Sequence, residues 1–464
     1  MKVVIVGAGA VGFQLARQLI SENKDVVLIE KNAETAHRAT NTLDCMVVTG
    51  EGTNLEVLKQ AGLESTDYFV AVTDSDEVNM ITCGLVSSEF QVQAKIARVR
   101  NIDYHTSRIS GKQFLGIDYV VNPETEAAQA IIRAIEHGAV SDIMLFEQSQ
   151  VQMRNITVDR ESVLADTALK NLSNVLPGLF LVAVIVRDNH YLIPSGDTEI
   201  RVGDMLYMVA TQADFEEIFS RLGKEKGDLR KIVIIGGGKI GQQLAEYLLA
   251  DVKTTLINRL LRRIARIDRK SVKIVDRDYD RCKMLAERFP GALIINADIS
   301  EDGVFEEQHF ANSDLVIATT DNQELNIVAG LYAKSLGIKR SVVLVNRSGY
   351  TGIASQLGID VPVSQKNALV MSILKYIRSG NVKSVHAISD GHIEAIEMTV
   401  TPESRAVGKP IVELNLPKDT LIVALQRDGM NLIPQGHQVI RANDHLVVVA
   451  TKKNADRIQG LFTV

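Results

Sequence analysis

The chain of 464 residues repeats itself over almost its whole length, and this internal repeat limits the possible folds more than any single motif. Residues 2–12 (KVVIVGAGAVG) match residues 231–241 (KIVIIGGGKIG) at an offset of 229 residues. Farther along, Asp74 matches Asp321 at an offset of 247, so about 18 residues are inserted early in the second half, near residues 251–270. Because similarity at a fixed offset indicates repeated structural units, the sequence predicts two copies of one architecture.

Each copy is predicted to contain two domains of different character. Residues 1–122 alternate short apolar segments with helical segments, whereas residues 141–222 have the pattern of a compact α+β domain. The second copy repeats this order over residues 230–364 and 383–464, after a polar linker at 223–228. The predicted fold class is therefore α/β, with two tandem Rossmann-like doubly wound parallel sheets, each followed by a small α+β accessory domain. The strands predicted for the first parallel sheet are residues 3–6, 26–29, 46–49, 68–72, 95–99 and 119–121.

Composition and charge argue against several classes of function. Lys and Arg total 51 against 57 Asp and Glu, a net charge of −6, so no general basic field is available to hold nucleic acid. The three cysteines, Cys45, Cys83 and Cys282, are far apart and predict neither a disulfide framework nor a thiolate zinc site. No run of about 18 apolar residues occurs, so any role at a membrane requires a partner. Nine scattered histidines, with no G-x-S-x-G or H-E-x-x-H motif, predict neither a catalytic nor a metal site.

A dinucleotide fingerprint opens the first copy. Gly7, Gly9 and Gly12 follow an apolar strand and lead into a helix, and Glu30 ends the next strand, 18 residues after the last glycine. The helix N-terminus suits a phosphate, and the Glu30 carboxylate can accept both hydroxyls of an adenosine ribose. Because that carboxylate repels a 2′-phosphate, NAD is favoured over NADP, while ATP and ADP remain open. The alternative interpretation is a tight turn in an α/β domain that binds nothing.

Polar residues at the ends of the fourth and fifth strands are further candidates. Thr73 and Asp74 lie at the carboxyl edge of the sheet, where ligands of such folds bind, although capping of the following helix is the alternative role. Arg98 and Arg100 flank the end of the next strand, where a guanidinium can meet a phosphate. We favour a binding role for Arg98 and a solvated surface position for Arg100.

The second copy keeps the three fingerprint glycines, Gly236, Gly238 and Gly241. Its acidic partner is ambiguous, because Asn258 lies 17 residues after the last glycine but is an amide, whereas Asp276 ends a better strand. We select Asp276, which places the insertion before it. Leu344 takes the position of Arg98, so this site has lost a possible phosphate ligand.

The inserted segment has a basic amphipathic pattern between Leu256 and Ile267. Its arginines are Arg259, Arg262, Arg263, Arg266 and Arg269. A lengthened helix that covers its own domain is the preferred interpretation, and docking to a partner or to an anionic membrane surface is the alternative.

Over essentially its full length the chain resembles the double-RCK (regulator of potassium conductance, or KTN) family, which includes the regulatory subunits of bacterial Trk potassium uptake systems. The resemblance rests on the two glycine fingerprints, on residues 70–79 (VAVTDSDEVN) and 96–100 (IARVR), and on the accessory domains with their matching Asp204 and Asp444. It implies a regulator without enzymatic turnover, to which NAD(H) or ATP/ADP binds as a regulatory ligand. It also implies a homo-tetrameric ring that gates a membrane-embedded potassium channel subunit of the TrkH/TrkG type. The ring is expected to be cytoplasmic and peripheral on the cytoplasmic face of the inner membrane, through that partner.

The resemblance carries binding roles onto particular positions. In the first copy they are Gly7, Ala8, Gly9, Ala10, Val11, Gly12, Glu30, Thr73, Asp74 and Arg98. In the second copy they are Gly236, Gly237, Gly238, Lys239, Ile240, Gly241 and Asp276. The insertion departs from the family pattern. Two other classes stay open at this point, an NAD-dependent oxidoreductase and a ligand sensor with no transport partner.

Overall fold

The computed structural model describes most of the chain. The described residues are 1–101, 114–136, 143–146, 149–160, 162–188, 190–222, 229–250, 270–301, 303–377, 382–388 and 393–463. The predicted linker at 223–228 and the inserted residues 251–269, with Asn258, lie outside them. Within the described ranges, no helix is both long enough and apolar enough to cross a membrane.

The N-terminal part of the chain forms a six-stranded parallel sheet. In chain order its strands are β1 (Lys2–Val6), β2 (Asp25–Glu30), β3 (Met46–Thr49), β4 (Tyr68–Ala71), β5 (Ala94–Arg98) and β6 (Tyr119–Val121). Their spatial order is β3-β2-β1-β4-β5-β6, which is the doubly wound order of a Rossmann sheet. The accompanying helices are α1 (Ala10–Ser21), α2 (Ala33–Thr42), α3 (Leu55–Gln60) and α4 (Asp76–Glu89). Val3 and Ile5 enter one buried cluster and Val4 and Val6 another, so both faces of the sheet are covered.

A second parallel sheet repeats this arrangement. Its strands are β12 (Lys231–Ile235), β13 (Ser271–Asp276), β14 (Ala292–Asn296), β15 (Leu315–Ala318), β16 (Arg340–Val345) and β17 (Val361–Ser364). Their spatial order, β14-β13-β12-β15-β16-β17, is the same as that of the first sheet. Its helices are α7 (Lys239–Leu249), α8 (Tyr279–Arg288), α9 (Val304–Glu307), α10 (Gln323–Ser335) and α11 (Ser348–Leu357).

Two five-stranded antiparallel sheets form the accessory domains. The first contains β7 (Ile143–Leu145), β8 (Val151–Thr157), β9 (Phe180–Arg187), β10 (His190–Leu192) and β11 (Met205–Thr211), followed by α6 (Gln212–Arg221). The second contains β18 (Val382–Ile388), β19 (Ile393–Thr399), β20 (Thr420–Arg427), β21 (Met430–Leu432) and β22 (His445–Thr451), followed by α13 (Lys452–Phe462). In both sheets, the arginine that ends the first strand of the edge hairpin pairs with a buried carboxylate. Arg187 Nη2 lies 2.7 Å from Asp204 Oδ2, and Arg427 Nη2 lies 2.7 Å from Asp444 Oδ2. The aspartates that end the repeat motif therefore serve the accessory fold.

The helix that follows each parallel sheet packs on the other parallel sheet. From Ala127 onward, α5 (Pro123–Glu136) shares a core cluster with β12 and α7, and Glu136 accepts a hydrogen bond from Tyr247. Conversely, α12 (Gln365–Ile377) packs on the first sheet, where the Tyr119 and Tyr376 rings stack at 4.7 Å. One compact unit thus joins α12 to the first parallel sheet, and the other joins α5 to the second.

The predicted fold class is confirmed, and all six strands predicted for the first parallel sheet are present within one residue at each end. The predicted boundaries at 1–122, 141–222, 230–364 and 383–464 stay predictions. The exchanged helices, α5 and α12, lie between the predicted domains.

Candidate functional site

The first glycine loop contains glycines of two kinds. Gly7 has a φ of 98°, in the left-handed region that favours glycine. A Cβ on Gly12 would overlap the carbonyl oxygen of Gly7, so this glycine permits close packing of helix and strand. Gly9 has an unstrained φ of −64° and ψ of −171°, and a Cβ there would meet nothing within 4 Å. The fold requires Gly7 and Gly12, whereas Gly9 leaves open space at the N-terminus of α1, where the helix dipole favours an anion.

Glu30 is held in a fixed orientation beside this loop. Its Oε2 accepts a hydrogen bond from the N–H of Ala8 at 2.7 Å, and its Oε1 accepts one from the N–H of Asn32 at 2.8 Å. A carboxylate oxygen can accept more than one hydrogen bond, so the group keeps acceptor capacity toward a ligand. Its position at the end of β2 is the one from which an acidic residue meets an adenosine ribose.

A buried asparagine organises the carboxyl ends of β4 and β5. Asn79 accepts hydrogen bonds from Thr73 N at 2.8 Å and Thr73 Oγ1 at 2.7 Å, and it donates to the Arg98 carbonyl at 2.9 Å. No role of its own was predicted for this residue from the sequence, although it lies in the motif at 70–79 and matches Asn326 in the repeat. The N-cap of α4 is Ser75, whose Oγ accepts from Val78 N, so the capping alternative for Thr73 and Asp74 is wrong.

The two arginines after β5 have different partners. Arg98 Nη1 donates to the Thr73 carbonyl at 3.2 Å and to Asp74 Oδ1 at 3.1 Å. Within the described residues its buried Nε has no hydrogen-bond partner. The Asp74 side chain is fully exposed, so this ion pair contributes little, whereas the Arg98 side chain is itself only 12% exposed. Arg100 Nε instead donates to Glu124 at 3.0 Å.

The second glycine loop has the same backbone. Gly236 has a φ of 102°, and a Cβ on Gly241 would overlap the Gly236 carbonyl oxygen. Gly238, with a φ of −69° and a ψ of −171°, again faces open space. Asp276 Oδ2 accepts from Gly237 N at 2.7 Å, and its Oδ1 accepts from Asp278 N at 2.9 Å. Asp276 therefore makes the two backbone contacts that Glu30 makes in the first copy.

The side chains around the second loop differ from those around the first. Arg281 Nη1 lies 3.1 Å from Asp276 Oδ2, and the hydrogen bond to Asp276 raises the pKa of Arg281. The carbonyl of Leu344 accepts from Asn326 at 3.0 Å, which places this residue at the position of Arg98 without a guanidinium. Arg281 was not predicted from the sequence, because no motif marks the third residue of a helix as a contact of the preceding strand. Among the described residues, no group of three or more His, Cys, Asp or Glu side chains could hold a metal.

Two doubly wound sheets, each with a glycine loop and an oriented carboxylate, define a tandem Rossmann protein with two nucleotide-type clefts. The model of the TrkA-N domain family matches residues 3–123 and 232–365, and that of the TrkA-C domain family matches residues 153–223 and 395–463. The Trk system potassium uptake protein TrkA of Halomonas elongata is 32% identical over 470 residues, covering 100% of this chain and 99% of that protein. The protein of the same name from Azorhizobium caulinodans is 32% identical over 468 residues, with coverage of 100% and 99%. The chain belongs to the TrkA family of Trk system potassium uptake proteins.

Solved structures agree with this fold. The GsuK RCK domain has a TM-score of 0.52 at 18% identity, covering 99% of this chain and 94% of that one. The GsuK channel bound to NAD also has a TM-score of 0.52 at 18% identity, covering 99% of this chain and 78% of that one. At this identity the likeness shows the RCK fold.

Proposed function

We propose that this chain is the regulatory subunit of a potassium uptake system, and that NAD(H) or ATP/ADP in its first cleft controls a membrane-embedded potassium channel subunit of the TrkH/TrkG type. The observation that carries the proposal is the open space at Gly9 beside an oriented Glu30 carboxylate. The names of the relatives support the link to potassium uptake, and the NAD in a related channel structure supports the class of ligand. A cytoplasmic homo-tetrameric ring bound to the inner membrane through that partner is part of the proposal.

The proposed ligand contacts follow from the geometry of the first cleft. The phosphates occupy the space at Gly9 and meet the N-terminus of α1, while the ribose hydroxyls donate to Glu30. The Arg98 guanidinium supplies a cation on the β4 and β5 side. The proposed positions are Gly7 to Gly12, Glu30, Thr73, Asp74 and Arg98, with Gly236 to Gly241 and Asp276 as the second set.

Control of this kind requires no chemical turnover. A ligand shifts a conformational equilibrium only through its different affinities for the two states, and a coupling free energy of about 1–3 kcal/mol changes the equilibrium about 5- to 150-fold. Modest differences in contact at one cleft are therefore sufficient to regulate a channel.

The substitution Gly9→Asp tests the proposal. A Cβ fits at Gly9 without contact, so the variant should fold, but its carboxylate occupies the phosphate position and repels the ligand. We expect loss of NADH and ATP binding to the first cleft by calorimetry. Rubidium uptake at limiting potassium should fall in a deletion strain that carries the variant, or should lose its dependence on nucleotide.

Gly352→Asp is the matched control, because a Cβ at this exposed helical glycine also meets nothing within 4 Å. It should leave binding and uptake unchanged. Normal, nucleotide-responsive uptake by the Gly9→Asp strain would contradict the proposal, as would substrate-dependent oxidation of NADH by the purified protein.

A further inference from the structure

We propose that Arg281 determines the specificity of the second cleft by occupying the carboxylate that a ribose would otherwise use. The inference rests on the proposed function, since it assigns unequal roles to the two nucleotide-type clefts. It predicts that the second cleft binds adenosine nucleotides with free ribose hydroxyls weakly, so that the first cleft provides the nucleotide response.

Thr35 and Arg281 hold the same position in the two copies. Asn32 caps α2 by accepting from Thr35 N, and Asp278 caps α8 by accepting from Arg281 N. Both cap residues lie two positions after the acidic residue that ends the preceding strand. This helix position carries a short hydroxyl residue in the first copy and, in the second, a guanidinium that contacts the carboxylate at the end of the preceding strand.

The acceptor capacity of Asp276 is used within the protein. Its two oxygens already accept from Gly237 N and Asp278 N, and Arg281 Nη1 approaches them at 3.1 and 3.4 Å. The Asp276 side chain is only 5% exposed, whereas Arg281 is 42% exposed and also lies 3.5 Å from Asp278 Oδ2. A ribose hydroxyl must displace this guanidinium, and in doing so it leaves a buried carboxylate without its counter-charge.

The opposite side of the second cleft reinforces this effect. The first cleft offers the Arg98 guanidinium, while the second presents the buried, apolar Leu344 at the matching position. At these two positions the second copy has therefore lost the guanidinium that follows the fifth strand and gained one that pairs with the ribose acceptor. Both changes lower affinity for the same class of ligand.

The first arm of the test isolates the second cleft in the full chain that carries Gly9→Asp. Calorimetry with ADP and with NAD⁺ compares this protein with the double variants that add Arg281→Thr or Arg281→Gln. We expect either addition to raise affinity about tenfold or more, since the carboxylate regains its capacity for charge-assisted hydrogen bonds. The backbone N–H that Asp278 caps is retained, and thermal unfolding verifies that each variant folds.

Arg277→Thr is the matched control in the same background. This substitution removes the same charge next to Asp276. The Arg277 side chain, however, is 80% exposed, and its ion pair, at 3.9 Å, is with Asp298. This control should leave affinity unchanged. The second arm introduces Thr35→Arg into the otherwise unaltered chain, where we expect affinity at the first cleft to fall about tenfold.

The outcomes separate this inference from the proposed function. Unchanged affinity in both Arg281 variants, or equal affinity of the two clefts in the unaltered chain, would overturn the role of Arg281 while leaving the regulatory function intact. Tighter binding of NADP⁺ than of NAD⁺ to the second cleft, lost in Arg281→Thr, would also overturn it, because the arginine would then be a ligand for a 2′-phosphate. No binding to either cleft of the unaltered chain would instead remove the proposed function.

Discussion

The two parallel-sheet domains share a scaffold and differ in the side chains placed on it. Asn79 and Asn326 make matching hydrogen bonds to Thr73 and Thr320, and each donates to the carbonyl at the same point of the fifth strand. The glycine loops have nearly identical backbone angles. The two copies therefore share what the fold needs and differ in the side chains around their glycine loops.

The largest effect is expected where the domains are the same. Replacing the buried Asn79 or Asn326 by alanine leaves a part-buried threonine N–H and a strand carbonyl without partners, at a cost of roughly 3 kcal/mol in the free energy of unfolding. Hydrogen exchange should show equal loss of protection in the affected domain for the two variants. The exposed cap variant Asn32→Ala should cost only about 1 kcal/mol. A large effect in one domain alone would show that the scaffolds are not equivalent.

The next effect separates the two carboxylates. Glu30→Gln removes the charge that orients the ribose, so nucleotide affinity should fall by about 1.5–3 kcal/mol per hydrogen bond lost, less what solvent recovers. Asp276→Asn should change nucleotide binding by the full chain far less, because Arg281 already occupies that carboxylate. Calorimetry with NADH and ATP measures both. Equal losses in the two variants would mean that both clefts contribute equally.

A smaller change makes the first cleft resemble the second. Arg98→Leu introduces the residue that the second copy has at the matching position, Leu344, and removes the cation near the phosphates. Nucleotide binding should weaken about tenfold, or about 1.4 kcal/mol. Arg100→Leu removes the neighbouring guanidinium, which pairs with Glu124, and serves as the control with unchanged affinity. If the two leucine variants bind alike, Arg98 is a structural residue.

The smallest effect concerns the exchanged helices. Burial, together with Glu136, raises the pKa of Tyr247 to about 12, so its neutral form is favoured in the folded state. Tyr247→Phe should cost about 1 kcal/mol of unfolding free energy at pH 8. This difference in unfolding free energy has its full value below pH 10, the ordinary pKa of tyrosine, and shrinks as the pH rises toward 12. The Gln14 contact to Asn367 contains no ionisable group, so urea unfolding of Gln14→Leu should show a penalty independent of pH.

Much of the molecule was determined by the sequence itself. The apolar strands and the turn glycines are local patterns, and local hydrogen bonding and steric limits convert them directly into β1 and α1, while the repeat predicts their copies. The choice of Asp276 over Asn258 also followed from the sequence, because the end of a strong apolar strand fixes where a carboxylate must lie. These features depend on neighbouring residues alone.

Only the tertiary structure decided which sheet each connecting helix covers and what Arg281 contacts. The apolar stripe of α5 or α12 predicts that a face is buried but does not distinguish between two similar sheets. A long arginine on a helix surface has many possible partners, and the pairing of Arg281 with Asp276 depends on the distance across the loop between β13 and α8. Both outcomes are set by the three-dimensional neighbours of a side chain, which sequence periodicity does not encode.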